Sequence, residues 1–213
     1  MFHSPRPTFE FLRFTLNEDG RLAALTLTNA VQLLDVETGI ELVRLPLAGA
    51  QAVVFLPAQA GLAATSDRGL FAWSFRPGAV TGEIQIGPRR AIRSGENWTQ
   101  IRLGPSGRRL AAWQEDCAHI YALPEFREVF QTGNHRGGVP LGPSFSRDER
   151  LLAIARWNNS AIAIWDLAAS NLLHRIKVTT SRDVTHGRAE FTPDGEWLFV
   201  TTLEDMRLYE PGS

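Results

Sequence analysis

Residues that could carry out chemistry are few and scattered. A phosphate-binding loop needs glycines followed by a lysine, but the single lysine, Lys177, lies in an extended apolar run. A nucleophile elbow needs a glycine two residues after the serine, and neither GPSG (104–107) nor GPSF (142–145) supplies one. We therefore predict that the chain is not an enzyme by itself and uses no cofactor.

Cys117 and His119 are the two neighbouring residues whose types are best suited to nucleophilic catalysis. They are two positions apart, so an extended strand would point both to one side, where they could act as thiolate and imidazole. A buried or edge cysteine is the simpler interpretation. The histidines lack the i, i+4 spacing and the cysteine partners of metal sites. We predict no metal site from His3, His119, His135, His174 and His186.

Composition narrows the class of protein. With a net charge of -1 and a pI near 6.5, the chain lacks the excess positive charge that favours binding to the phosphates of nucleic acids. Its apolar runs fall short of the roughly 20 residues of a membrane span, and MFHSPRP has no signal-peptide core. We expect a cytoplasmic protein that binds neither nucleic acid nor membrane. Eighteen Gly and 12 Pro indicate many turns, which favours an all-β chain.

Leucines that would restart a strand recur along the whole chain. These anchors are spaced by 40, 48, 42 and 46 residues: Leu22, Leu62, Leu110, Leu152 and Leu198. A large apolar or aromatic residue, which we call the mark, follows each anchor by 11 to 13 positions: Leu34, Trp73, Tyr121, Trp165 and Tyr209. The residues one and three before every mark are also apolar, so this strand is predicted to be buried on both faces.

Each copy therefore predicts a four-stranded antiparallel sheet that must stack on its neighbours to bury both faces. We place the five copies in one domain, 1–213, at about 8–47, 51–88, 98–132, 139–178 and 187–213. The last copy stops after its third strand. We expect its exposed edge to promote self-association.

Three segments resemble WD-repeat β-propellers: AIAIWDL (161–167), FTPDG (191–195) and TSDRGLFAWS (65–74). The resemblance covers nearly the whole chain and implies a β-propeller of about five four-stranded blades, incomplete or open because a strand is missing. It also implies a buried hydrogen-bonded set in each blade. The second copy offers Thr65, Asp67 and Trp73 for this set; the fourth offers His135 and Trp165, and no copy holds every member.

In the family that the chain resembles, partners bind the face built by loops before the first strand and between the second and third strands. The residues predicted there are Asp67, Arg68, Arg90, Arg93, Trp98, Glu115, Asp116, His135, Arg136, Trp157, Asn158, Arg182, Asp183 and His186. Trp98 and Trp157 are either exposed interface anchors or side chains packed between blades. The arginines at 89, 90 and 93 are either a docking patch for acidic partners or solvated loop charge.

The resemblance predicts a non-catalytic scaffold that binds a protein partner through this loop face. The alternative is a sensory or docking part of a larger enzyme, such as a bacterial serine/threonine protein kinase. A propeller hydrolase would need two or three converging carboxylates, and it is disfavoured because the predicted first strands carry few charges: Glu10, Arg13, Arg102, Arg188 and Glu190.

Overall fold

The computed structural model describes residues 13–78, 83–95, 97–114, 117–133, 140–156, 161–178, 188–202 and 204–211. Within them the chain is nearly all β, arranged in five antiparallel sheets. The predicted all-β class and the five blades are therefore confirmed. The chain packs as two compact units, Met1–Gly95 and Glu96–Ser213. The prediction of a single domain stays a prediction.

Unit 1 contains blades 1 and 2. Blade 1 is ordered β1-β2-β3-β4: β1 (Phe14–Leu16), β2 (Leu22–Leu27), β3 (Ala30–Asp35) and β4 (Glu41–Pro46). Blade 2 has five strands: β5 (Ala50–Leu56), β6 (Gly61–Ser66), β7 (Gly69–Pro77), β8 (Ile84–Ile86) and β9 (Arg90–Ser94). A 3-10 turn, Pro57–Gln59, joins β5 to β6. It is the one helical element among the described residues, and none there could span a membrane.

Unit 2 contains blades 3, 4 and 5, each with its strands in sequence order. Blade 3 has β10 (Trp98–Leu103), β11 (Arg109–Gln114), β12 (Cys117–Ala122) and β13 (Arg127–Gln131). Blade 4 has β14 (Pro140–Phe145), β15 (Leu151–Arg156), β16 (Ala161–Asp166) and β17 (Asn171–Lys177). Blade 5 has three strands among the described residues: β18 (Arg188–Phe191), β19 (Leu198–Thr201) and β20 (Met206–Tyr209).

The spacing of anchor and mark has a simple structural cause. In blades 2 to 5 each anchor is the direct cross-strand partner of its mark, as in Leu152 opposite Trp165. The distance between them is thus the length of one hairpin. In blade 1 the partner of Leu34 is Ala23, and Leu22 faces Asp35 instead. The anchor of this copy is therefore Ala23, one residue later than predicted.

Burial of the third strands follows the prediction in blades 2, 3 and 4, holds in part in blade 1, where Leu34 is half-buried, and departs from it in blade 5. In blade 4, Ile162 and Ile164 are buried with Trp165. They contribute to two cores, one shared with blade 3 and one with blade 5. In blade 5, by contrast, Met206 is 72% and Leu208 56% exposed. Within unit 2, a face of a blade is buried where a neighbouring blade packs against it. Met206 and Leu208 lie on a face that no described residue covers.

Blade 2 extends beyond its predicted end at residue 88. Its third strand, β7, is nine residues long. The first part of β7 pairs with β9, and its last residues, Phe75–Pro77, pair with β8. The fourth strand of this blade is therefore β9, and β8 forms an additional hairpin with the extension of β7.

A buried glutamate links blades 3 and 4. The turn after the first strand has a residue with positive φ in blades 1, 3, 4 and 5, a glycine in three of them and Glu149 in blade 4. Glu149 is 4% exposed, and its Oε1 accepts the Ser106 N–H at 2.7 Å in the corresponding turn of blade 3. A Cβ on Gly104 would lie 2.3 Å from that oxygen, so a larger residue there would displace the Glu149 side chain. This bond offsets the roughly 1–2 kcal/mol cost of a left-handed non-glycine residue.

Candidate interaction surface

The linker between blades 1 and 2 joins the loop ends of both blades through its backbone. Leu47 N–H donates to the Asn29 carbonyl at 3.0 Å, and Gly49 N–H donates to Thr28 at 2.8 Å, both in the β2–β3 turn. On the other side, the Gly49 carbonyl accepts the Asp67 N–H at 3.1 Å in the β6–β7 turn. The two turns are therefore held in fixed positions by one linker.

The β6–β7 turn is held in turn by the end of β9. Gly95 N–H donates to the Arg68 carbonyl at 3.2 Å, directly after the pairing of Ser94 with Gly69. We use the name loop ridge for residues 28–29, 47–49, 67–68 and 93–95. The sequence analysis assigned residues of these segments to the binding face, and unit 1 brings three of them, Asp67, Arg68 and Arg93, onto one continuous surface.

Gly49 is a member of the ridge that the sequence analysis missed. Its φ of +64° is unfavourable for other residues, and a Cβ there would lie 2.3 Å from the Asp67 carboxylate. The Asp67 side chain thus lies over the linker with its residue exposed to solvent. A glycine just before a first strand was the available signal, because such glycines mark close approach of another group.

Arg68 and Arg93 give the ridge positive charge beside Asp67. Arg68 follows Asp67 in the turn, and Arg93 pairs with Leu70 near the end of β9; both are exposed. The ridge therefore offers guanidinium and carboxylate groups side by side. Such groups can form paired hydrogen bonds with a protein partner.

Arg90 does not lie on the ridge, and Arg90 and Arg93 are strand residues rather than loop residues. Arg90 pairs with Ala72, further along β7, because β9 is the fourth strand of the blade. The neighbouring Arg89 is exposed, and its side chain lies along the surface of unit 1. Its guanidinium lies 4.9 Å from the Phe71 ring centroid and donates to the Pro46 carbonyl at 3.1 Å. The predicted arginine cluster is thus divided between different surroundings.

Trp98 is a core residue, which corrects its interpretation as an exposed anchor. It is 0% exposed, and its ring lies 5.1 Å from that of His119. His119 Nδ1 is 3.0 Å from Glu128 Oε1. His119 therefore packs against tryptophan and pairs with a carboxylate, in contrast to the thiolate-imidazole pair considered with Cys117.

The remaining predicted residues lie outside the described part of the chain: Glu115, Asp116, His135, Arg136, Trp157, Asn158, Arg182, Asp183 and His186. At the corresponding end of unit 2 the structure describes the β19–β20 turn apart from residue 203. There Asp205 accepts hydrogen bonds from Arg207 Nε at 2.8 Å and from the Thr202 hydroxyl at the same distance. The Arg207 guanidinium, followed by Thr202, holds the pKa of Asp205 below its usual value.

A small crevice separates the first strands of the three blades in unit 2. It has a volume of about 120 Å³, and Arg102, Arg188 and Glu190 supply its charged lining. Arg102 Nη2 lies 3.8 Å from Glu190 Oε1. One ion-paired carboxylate can help to orient a polar ligand, whereas glycoside hydrolysis uses two carboxyl groups. Among the described residues, no three His, Cys, Asp or Glu side chains are grouped to hold a metal ion.

Comparisons with known proteins show the fold. No protein-family model and no curated protein sequence matches the chain. Among solved structures, the chain is similar to the β-propeller domain of Cps50 (Swd1) from Myceliophteria thermophila, at 19% identity and a TM-score of 0.70, over 90% of this chain and 67% of that one. It is also similar to hydrazine synthase from Kuenenia stuttgartiensis, at 14% identity and a TM-score of 0.68, over 92% of this chain and 70% of that one. The chain thus has a β-propeller fold built from antiparallel blades, of which blades 1, 3 and 4 have four strands among the described residues.

Proposed function

We propose that this chain is a non-catalytic WD-repeat scaffold that binds a protein partner through the loop ridge of unit 1. The observation that carries the proposal is the fixed backbone beneath exposed charged side chains. Asp67 and Arg68 stand on a turn that is hydrogen-bonded to Gly49 on one side and to Gly95 on the other. A surface that is ordered before binding loses little conformational entropy when a partner binds.

The composition of the ridge favours a protein partner. Interfaces between proteins are rich in arginine, which forms bidentate hydrogen bonds with carboxylates. Trp165-Asp166 and the repeat of anchor and mark support the assignment to WD repeats. The solved structures support the fold alone, and propellers serve many functions. The proposal therefore rests on the ridge and not on what the similar proteins do.

The test compares two double charge reversals. Arg68→Glu with Arg93→Glu alters the ridge, and Arg108→Glu with Arg175→Glu alters exposed arginines in unit 2. Each variant is immobilised and used to capture proteins from cells that express the native chain, with quantitative mass spectrometry as the readout. We expect the ridge variant to capture at least about tenfold less of the protein that the wild-type chain captures in the largest amount. Unchanged capture by the ridge variant, or equal loss by the control, would contradict the proposal.

A further inference from the structure

The additional hairpin of blade 2 creates a groove against blade 1. The third strands of blades 1, 3 and 4 are six residues long, whereas β7 continues through Phe75–Pro77 and pairs with β8. One wall of the groove comes from β4, through Leu42 and Val43, and the opposite wall comes from Ile84 and Ile86 on β8.

The side chains that line this groove are all apolar. It encloses about 400 Å³, and its lining residues are Leu22, Leu33, Leu42, Val43, Phe75, Ile84 and Ile86. The floor is continuous with the unit 1 core, while Leu42 is 52% and Ile84 40% exposed at the rim. Volumes of about 300–1,000 Å³ and mainly apolar walls are typical of binding sites.

One end of the groove opens into a charged cavity of about 650 Å³. The cavity shares Leu22, Phe75 and Ile84 with the groove. Its charged lining consists of four carboxylates and two guanidinium groups, a net charge of -2: Glu18, Asp19, Asp35, Glu83, Arg21 and Arg76. Hydrogen bonds from the Thr38 hydroxyl and N–H hold the pKa of Asp35 below its usual value, so this carboxylate is ionised at neutral pH.

The two walls are tied together at the other end of the groove. Arg89, three residues after β8, donates to the carbonyl of Pro46, the last residue of β4, at 3.1 Å. Its guanidinium also covers the Phe71 ring. The groove is thus an ordered feature of unit 1. Because β4 is the last strand of its sheet among the described residues, it offers backbone donors and acceptors to an extended chain.

We propose that this groove binds an extended peptide segment of a partner protein, in which aliphatic residues are followed by lysine or arginine. The aliphatic side chains would fill the apolar groove, and the basic residues would reach the acidic cavity. Charge complementarity selects a basic segment over an acidic one. The acidic cavity lies at the Gly61 end of β6, where Ala58 and Ala60 line it, and the loop ridge lies at the Ser66 end. The two proposals therefore stand or fall separately.

The test uses two fluorescein-labelled peptides and fluorescence anisotropy with the full chain. The basic peptide is Leu-Val-Leu-Ser-Arg-Lys-Arg, and the acidic peptide has Glu-Asp-Glu at its end. We expect the acidic peptide to bind at least about tenfold more weakly. We expect Ile84→Asp to weaken binding of the basic peptide by at least about tenfold, because it places a charge in the apolar wall. Glu18→Lys should weaken it about three- to fivefold and reduce its salt dependence.

Two variants in unit 2 serve as matched controls. Leu173→Asp changes an exposed apolar residue of an outer strand, and Glu196→Lys reverses an exposed charge in a turn. Both should bind the basic peptide like the wild type. Equal affinity for the two peptides, no binding of the basic peptide up to about 1 mM, or equal effects of Ile84→Asp and Leu173→Asp would overturn the proposal. Glu18→Lys keeps the test decisive if Ile84→Asp does not fold.

Discussion

Blades 2 and 4 carry tryptophan at the same register position, yet their third strands end differently. Trp73 faces Leu62 and Trp165 faces Leu152. After Trp165 comes Asp166, where β16 ends, whereas Trp73 is followed by Ser74 and β7 continues to Pro77. Aspartate after the tryptophan is thus found with a tight turn, and serine is found with an extended hairpin.

Asp166 organises the turn that follows β16. Its Oδ1 accepts the N–H groups of Ala168 and Ala169, both at 2.9 Å, and its Oδ2 accepts two hydrogen bonds from Arg150. Asp35 plays the same part in blade 1, where its Oδ1 accepts the Thr38 N–H at 2.7 Å. Ser74 caps no such turn; its carbonyl accepts the Gly87 N–H, which joins the hairpin. Aspartate at this position therefore works as a turn cap.

The largest effect is expected at the tryptophans that the two blades share. Trp73→Ala and Trp165→Ala should each lower the free energy of unfolding by about 3–5 kcal/mol, the range for truncating a buried aromatic residue. Urea denaturation followed by circular dichroism measures both. A large effect in one blade with almost none in the other would show that the shared register does not mean shared burial.

The second prediction separates the residues that follow the tryptophans. Asp166→Ala should lower the urea midpoint, because two turn N–H groups and Arg150 lose their acceptor. The loss should be smaller than for Trp165→Ala. Ser74→Ala should leave the midpoint nearly unchanged, since the exposed Ser74 joins the hairpin through its backbone. If both alanine variants behave alike, the capping role of the aspartate is wrong.

Acid should weaken blade 4 through its two turn carboxylates. Hydrogen bonds from the backbone of Ala169 and from Arg150 lower the pKa of Asp166, and the Ser146 hydroxyl lowers the pKa of Asp148. Groups with a lowered pKa in the folded state stabilise it above their unfolded pKa of about 3.9, and this contribution is lost as pH falls from that value through the lower pKa of the folded state. The difference between the urea midpoints at pH 7 and pH 3.5 should be smaller in Asp166→Asn than in the wild type. An unchanged difference would exclude Asp166 as a source.

The smallest effect on stability is expected in blade 5, where the apolar third strand is not covered. Met206→Lys with Leu208→Lys should leave the urea midpoint almost unchanged, because both side chains are already exposed. Light scattering should show less self-association, since β20 is the last strand of its sheet among the described residues and charge on such a strand opposes pairing with a second copy. Leu173→Lys is the control. Association that persists in the double variant would place the contact elsewhere.

The repeat was readable from sequence because local hydrogen bonds fix each hairpin. Anchors and marks keep their spacing because each pair lies opposite across one hairpin, and turn residues such as Asp166 and Gly195 fix the turn directly after a mark or before an anchor. The hairpin of blade 2 was missed because β8 has only three residues and is followed by Gly87-Pro88, which indicates a loop. The assignment of Arg90 and Arg93 to a loop follows from that omission.

The sites were harder to predict because burial depends on residues far apart in sequence. Trp98 looks like a surface anchor until His119 is placed beside it. A glutamate in a polar turn such as SRDER (146–150) is usually exposed, and only the neighbouring blade shows that Glu149 is buried. Loop positions next to a first strand could be predicted, since they follow from strand order. Their contacts could not.

The hydrogen bond between Ser106 and Glu149 also has a consequence for synthesis on the ribosome. Ser106 and Glu149 are 43 residues apart. At about 5–20 residues per second, the turn of blade 3 is made about 2–9 s before its acceptor exists. During that interval the Ser106 N–H must be satisfied by water. The turn of blade 3 therefore reaches its final hydrogen bonding only when the next blade has begun to emerge. Adjacent blades would then pack in the order in which they are translated.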